Sequence, residues 1–250
     1  MSYQPLAGKV ALVTGGSRGI GEATALRLAD DGANVAITYV SSSERARSVA
    51  SRIEQRGVRA EAFASDQADP EQAANLVDKV VAAFGRLDIL VNNAGVFVTG
   101  SIDAEETDWE AMDRQYAVNV AGVVAVTRAA AKVMGEGGRI VSVGSTGGDR
   151  SPFPGIADYS ATKAAITAYT RGWSRDLGPR GITVNAVQAS SISTDMNPDV
   201  GPFADIQRSM NALGRYGRPE EMAAAIAFLV GPEAGFVTGA TLNVDGGFNA

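Results

Sequence analysis

The chain has no histidine and no cysteine among its 250 residues. Without histidine there is no serine–histidine–aspartate relay and no imidazole ligand for zinc. Without cysteine there is no disulfide, no thiol nucleophile and no thiolate metal site, so no metal site is expected. Positive charge is also in short supply. The 22 Lys and Arg stand against 28 Asp and Glu, a net charge of −6. That balance is a poor basis for nucleic-acid binding, although it leaves room for a local basic pocket around a phosphate. No apolar run reaches the length of a membrane span, so no membrane association is expected. Met1 to Lys9 lacks a charged segment followed by a long apolar stretch, which sets the expectation of a cytoplasmic protein.

The remaining composition is ordinary for a globular chain, with 45% hydrophobic and 20% charged residues. The length suits one large α/β domain or two small ones. Val10 to Val13 is a short apolar run rich in β-branched residues. Thr14-Gly15-Gly16-Ser17-Arg18-Gly19-Ile20-Gly21 follows directly and opens a helical pattern reaching about Asp30. A glycine turn between a strand and a helix lets backbone approach a pyrophosphate, with free amides at the helix start. Its plainer reading is a tight βα turn.

The alternation continues. Strands are expected at 34–39, 59–64, 87–91, 139–143, 181–187 and 240–244. Helices are expected at 44–55, 70–84, 109–134, 159–178 and 219–230, with Asp69 as N-cap and Pro70 in the first turn of the second. This order implies a single Rossmann-type domain over residues 1–250, a doubly wound parallel seven-stranded sheet with helices on both faces. The stretch of about 188–212 has no sheet signal and one possible helix near Phe203 to Met210. Such a segment, late in an α/β chain, reads as a lid.

The second strand ends in Tyr39-Val40-Ser41-Ser42-Ser43, with no acid to hold the ribose 2′-hydroxyl of NAD. Arg18 and the serines can instead receive a 2′-phosphate, so NADP(H) is expected over NAD(H). The plainer reading leaves Arg18 solvated and the serines capping the next helix.

Tyr159-Ser160-Ala161-Thr162-Lys163 opens another helical run. Its four-residue spacing puts the tyrosine and the lysine on one face. An ammonium beside a phenol favours the phenolate, which would supply a proton donor near neutral pH without histidine.

With these segments in place, nearly the whole chain resembles the short-chain dehydrogenase/reductase family. The resemblance rests on Thr14 to Gly21, on Asn92-Asn93-Ala94-Gly95, on Asn119, on Ser145 lying 14 residues before Tyr159, and on Tyr159 with Lys163. It extends through Arg175 to Asn185, Thr238-Gly239 and Asp245-Gly246-Gly247. It implies that Tyr159 protonates a carbonyl oxygen, that Lys163 lowers the tyrosine pKa and binds the nicotinamide ribose, that Ser145 orients the substrate, and that Asn119 holds a relay water. Ser142 is a rival to Ser145. The cofactor would meet Gly15, Ser17, Arg18, Gly19, Ile20, Gly21, Tyr39 and Ser41. Asp66 and Gln67 would lie at the adenine, and Asn92, Ala94 and Gly95 along the adenosine side. Ile192 and Thr194 would lie near the carboxamide. Gln188 is a possible polar contact to substrate.

The implied activity is reduction of a small-molecule ketone or aldehyde, or oxidation of the alcohol, by a homotetramer assembled through the helices near 109–134 and 159–178. One departure stands out: Ala189-Ser190 replaces the family's Pro-Gly. A 3-oxoacyl-carrier-protein reductase is a second possibility. A third comes from Val143 to Pro154 and Asp195-Met196-Asn197-Pro198. These stretches resemble a bacterial family member that binds cyclic di-GMP, in which reading Arg150 would meet a phosphate.

Overall fold

The computed structural model describes residues 3–250; the first two residues of the domain expected over 1–250 lie outside the described residues. Seven parallel strands form one sheet: β1 (Val10–Val13), β2 (Asn34–Tyr39), β3 (Ala60–Ala64), β4 (Ile89–Asn92), β5 (Arg139–Ser145), β6 (Thr183–Ala189) and β7 (Thr241–Val244). Their order is β3-β2-β1-β4-β5-β6-β7. The order reverses between β1 and β4, and open α/β sheets form a crevice at such a switch point.

Strand residues alternate between the two faces, and this alternation builds two cores. Ala11, Val13, Val35, Ile37 and Val91 face α1 (Gly19–Asp30), α2 (Ser43–Glu54) and α8 (Pro219–Val230). Val10, Leu12, Leu90, Ile140 and Val184 face α3 (Pro70–Phe84) and α5 (Val123–Val133). The Leu12 and Ile37 side chains are fully buried, each stabilising the fold by about 2–3 kcal/mol relative to exposure.

The helix expected over 109–134 is three segments. α4 (Trp109–Tyr116) leads into a π-helical stretch, Ala117–Gly122, which passes into α5. Gly122 explains part of this geometry. A Cβ there would stand 1.9 Å from the Gln67 carbonyl oxygen, so the helix approaches that loop at contact distance. The combined run Trp109–Val133 is long and apolar enough to cross a membrane by length and composition. This corrects the expectation that no run is. Its apolar residues are spaced at the helical period between charges such as Arg114 and Arg128, so no unbroken apolar stretch marks it. Instead α5 packs on α3, with Val126 and Ala130 fully buried in the core.

β6 runs two residues past its expected end. Ala189 pairs with Ser145 on one side and Val244 on the other. The proline usual at this position in the family would weaken such a central strand. α6 (Ala157–Leu177) crosses β5 and β6 and brings Tyr159 to the C-terminal edge of the sheet.

Candidate active site

The carboxyl ends of the strands border a cleft of about 620 Å³. β1 delivers the glycine turn to one end of it. Gly15 and Gly19 take left-handed conformations, with φ of +64° and +55°, which glycine adopts at little cost. Thr38 Oγ1 accepts from the Gly15 amide at 2.9 Å, and Asn93 Nδ2 donates to the Thr14 and Gly15 carbonyls at 2.9 and 3.1 Å. α1 begins at Gly19 with no side chain capping its first turn. Its free amides therefore face the cleft as an anion site, which fits a pyrophosphate.

Gly15, Ser17, Arg18, Gly19 and Ile20 all line the cleft, as do Tyr39 and Ser41. Gly21 does not. A Cβ at that position would stand 2.4 Å from Asn93 Nδ2 and from the Gly15 carbonyl oxygen, so its role is close packing under the turn.

At the tip of β2, Ser42 precedes α2 without making a capping hydrogen bond. The serines are thus not spent on the helix start. Arg18 lies 3.8 Å from Asp195, and Arg45 donates to the same carboxylate at 2.8 Å. Arg45 escaped the sequence reading because it sits inside a helix. Only the fold brings it beside Arg18. On the adenosine side, Asp66 and Gln67 line the cleft, and Asp66 accepts from Arg114 at 3.1 and 3.2 Å. Arg114 was likewise hidden in a helical pattern. Ala94 and Gly95 line the same wall, whereas Asn92 does not. Asn92 Nδ2 donates to Thr127 and Ser142, joining β4 to α5 and β5. This explains Ser142 as well, which is buried in that network away from the cleft.

The second half of the site gathers around Tyr159. Ser145 ends β5, and its Oγ accepts from the Gly147 amide at 3.0 Å. A Cβ on Gly147 would stand 3.2 Å from that oxygen and 3.4 Å from the Tyr159 ring, so glycine leaves room for the serine and tyrosine to meet. Burial pushes the Tyr159 phenol above its ordinary value, and its hydrogen bond with Ser145 opposes the rise. Lys163 is buried, and burial alone lowers its pKa to about 8. Its Nζ donates to the Val143 carbonyl at 3.0 Å and lies 5.7 Å from the Tyr159 ring centre. The expectation that Lys163 lowers the tyrosine pKa is therefore corrected for the protein alone. The ammonium is turned to the Val143 carbonyl, and desolvation of the phenol dominates.

Asn119 sits in the π-helical stretch. Its Oδ1 accepts from the Val96 amide at 2.9 Å, and its Nδ2 donates to the Val96 carbonyl and to Thr162 Oγ1. The side chain thus clamps the β4 exit to α6. Ile192 and Thr194 line the cleft from the far side. Gln188 does not. It is fully buried, and its Nε2 donates to Asp149 at 3.2 Å. At the Ala189-Ser190 departure, Ser190 Oγ donates to the Asp245 carbonyl at 2.8 Å. No non-glycine residue among those described has positive φ, so Ser190 leaves the strand without strain. Arg150 is absent from the cleft, its guanidinium lying 4.3 Å over the Phe248 ring.

A glycine turn that fits a pyrophosphate and a serine–tyrosine–lysine group at one sheet edge suit hydride transfer to a carbonyl. Comparison with known proteins identifies the family. The enoyl-(acyl carrier protein) reductase family model matches residues 15–249. The chain is 45% identical to a cyclic-di-GMP-binding biofilm dispersal mediator protein of Escherichia coli, over 97% of this chain and 98% of that one. It is 40% identical to a 3-oxoacyl-[acyl-carrier-protein] reductase of Synechocystis, over 97% of each. A short-chain dehydrogenase from Burkholderia cenocepacia, solved in complex with NADP, superposes with a TM-score of 0.96 at 54% identity, covering 98% of this chain and all of that one. The chain belongs to the short-chain dehydrogenase/reductase family.

Proposed function

We propose that this chain is an NADP(H)-dependent carbonyl reductase, acting in reverse as an alcohol dehydrogenase, on a small-molecule ketone or aldehyde. One observation carries this reading: Ser145, Tyr159 and Lys163 meet at the end of β5 in the cleft that also holds the uncapped glycine turn. The α1 amides would hold the pyrophosphate, and Arg18, Ser41 and Arg45 the 2′-phosphate. The NADP bound in the Burkholderia relative supports that assignment. When bound, the nicotinamide supplies the hydride.

The residues of the chain do the rest. Ser145 Oγ, held by the Gly147 amide, donates to the substrate oxygen. Tyr159 gives its proton to that oxygen as negative charge develops there. Two preplaced donors stabilise that charge. Lys163 would hold the ribose, and Asn119 positions α6 and Val96 around it. The setting proposed is the cytoplasm, and the assembly a homotetramer. Tyr116 on α4 is 58% exposed, and Tyr169 and Trp173 stack on α6, which supports those helices as the contact faces.

A panel of ketones and aldehydes assayed by NADPH absorbance tests the activity. Carbonyl-dependent loss of NADPH is expected. Loss with no member of the panel would overturn it.

A second reading, a cyclic-di-GMP-binding regulator, has the Escherichia coli relative in its favour. Arg150, the phosphate contact expected for it, is instead packed on Phe248. Calorimetry with cyclic di-GMP separates the two readings, because absence of heat at high micromolar ligand removes the second.

A further inference from the structure

Tyr159 fixes where a substrate oxygen must sit, and the surrounding side chains say what must be attached to it. Phe97, on the loop after β4, meets the Tyr159 ring edge-on, with centres 4.8 Å apart and planes at 90°. Further out, Phe153 and Phe203 meet edge to face at 5.6 Å and 78°. Phe203 comes from α7 (Pro202–Met210) in the lid. Phe248 reaches the same end because Gly246 and Gly247, with φ of +62° and +82°, turn the last residues inward. Phe97 and Phe203 keep 39% and 51% of their surface exposed, so the pocket presents aromatic faces with nothing stacked on them.

Charge is distributed the opposite way. The charged side chains lining the cleft are Arg18, Asp66, Arg114, Lys163 and Asp195. Four of these are paired at the adenosine end, Arg114 with Asp66 and Arg18 with Asp195. Lys163 is committed to the Val143 carbonyl. Two arginines near the substrate end stay outside the lining. Arg150 lies over Phe248, and Arg208 over Tyr216 with a salt bridge to Asp205. Among the described residues no cation lines the cleft beside the aromatic rings, and Arg150 meets them only by covering the Phe248 ring, so an anion bound between the rings would lose hydration without a direct counter-charge.

We infer that the substrate is an uncharged ketone carrying a planar ring beside the carbonyl, bound with the ring between Phe97 and the Phe153–Phe203 pair. This rests on the carbonyl-reductase reading and narrows it. Aromatic rings prefer edge-on or offset contacts with centres about 4.5–7 Å apart, the range in which Phe97 meets Tyr159 and Phe153 meets Phe203. Anionic 3-oxo acids, and acyl groups carried on a phosphopantetheine arm, find no cation lining the cleft among these rings.

The test compares acetophenone, butanone and acetoacetate as substrates of the intact protein with NADPH. Acetophenone should exceed both others in kcat/KM by about 100-fold, since even one methylene in an apolar pocket discriminates about 10- to 200-fold. Phe203→Ala, at a half-exposed position outside both cores, should lower kcat/KM for acetophenone about 10-fold more than for butanone. Equal use of butanone, or preference for acetoacetate, would overturn the inference while leaving the reductase reading intact. A mutant effect equal on both ketones would overturn the placement of the ring. Failure of all three ketones, and of the wider panel, would remove the reductase reading and this inference with it.

Discussion

The two walls of the cleft are built differently. The wall of strand ends is locked by hydrogen bonds. Thr14 Oγ1 accepts from the Asn93 and Ala94 amides, Asn93 holds two carbonyls, and Asn119 holds both polar groups of Val96. The lid wall, from Ser190 onward, is tied mostly through side chains, several of them at the exposed rim: Arg45 donates to Asp195, Arg208 to the Asp199 carbonyl, and Asn197 and Gln207 form a reciprocal amide pair at 2.8 and 3.0 Å. Beside that pair Met196, Val200 and Phe203 are 50%, 73% and 51% exposed. A reacting group must be held to within a fraction of an ångström, which a clamped backbone achieves. Apolar contacts tolerate exchange of one side chain for another. The chemistry therefore lies on the first wall and the choice of substrate on the second.

Second only to changes at Tyr159, Ser145→Ala should break the strand-end wall. It removes one of two donors to the developing oxyanion and should lower kcat about 100- to 1,000-fold, read by NADPH absorbance, with NADPH affinity retained. If the lid rather than this serine oriented the substrate, the loss would appear in KM.

Lys163 gives a test on the protein alone. Its folded pKa, about 8, lies below the ordinary 10.5. Between those values the unfolded chain holds a proton that the folded chain has released, so this group makes stability rise with pH across that window. Below about pH 8 its burial costs about 3 kcal/mol. Urea unfolding at pH 7.5 and 9.5 (about these values, spanning the window) should show the rise in the native protein and its loss in Lys163→Met. A parallel response in both proteins would contradict the assignment.

Asn119→Ala should cost about 1–3 kcal/mol, because it leaves the half-buried backbone groups of Val96 without protein partners. Thermal unfolding measures the loss. Asn197→Ala in the lid should cost about 1 kcal/mol or less, and the gap between the two variants sharpens the contrast between the walls.

Arg18→Ala should reduce the preference for NADPH over NADH about 10-fold, a typical effect of one charge-assisted hydrogen bond. Arg45→Ala should act in the same direction. The smallest effect is expected at Arg150→Ala, which meets the cleft only through the outer side of the Phe248 ring. Its kcat/KM should stay within about 2-fold of the native value, since exposed contacts contribute little.

The same contrast governs what the sequence reveals. Strand, glycine turn and helix are local patterns, so the positions of β1, α1 and β2 are legible from spacing. So are the Tyr159–Lys163 face and the glycine turn. The π-helical stretch is not, because Gly122 yields to the Gln67 loop from another part of the chain. Arg45 and Arg114 look like ordinary solvated helix residues until folding sets them beside Asp195 and Asp66. Gly21, Asn92 and Asn119 carry family positions that suggest ligand contact, yet their side chains or absent side chains serve packing and clamping. The aromatic lid escapes altogether. Phe97, Phe153, Phe203 and Phe248 are far apart in sequence and share no period.

The most direct measurement pairs NADPH binding with turnover in Tyr159→Phe. The variant keeps the ring and its contact with Phe97 but has no hydroxyl proton to give. NADPH should bind with nearly native affinity by fluorescence titration, while kcat for a ketone that the native protein reduces should fall about 1,000-fold or more. Retained turnover at the native rate would contradict the assignment of proton transfer to this tyrosine, and with it the division of labour between the two walls.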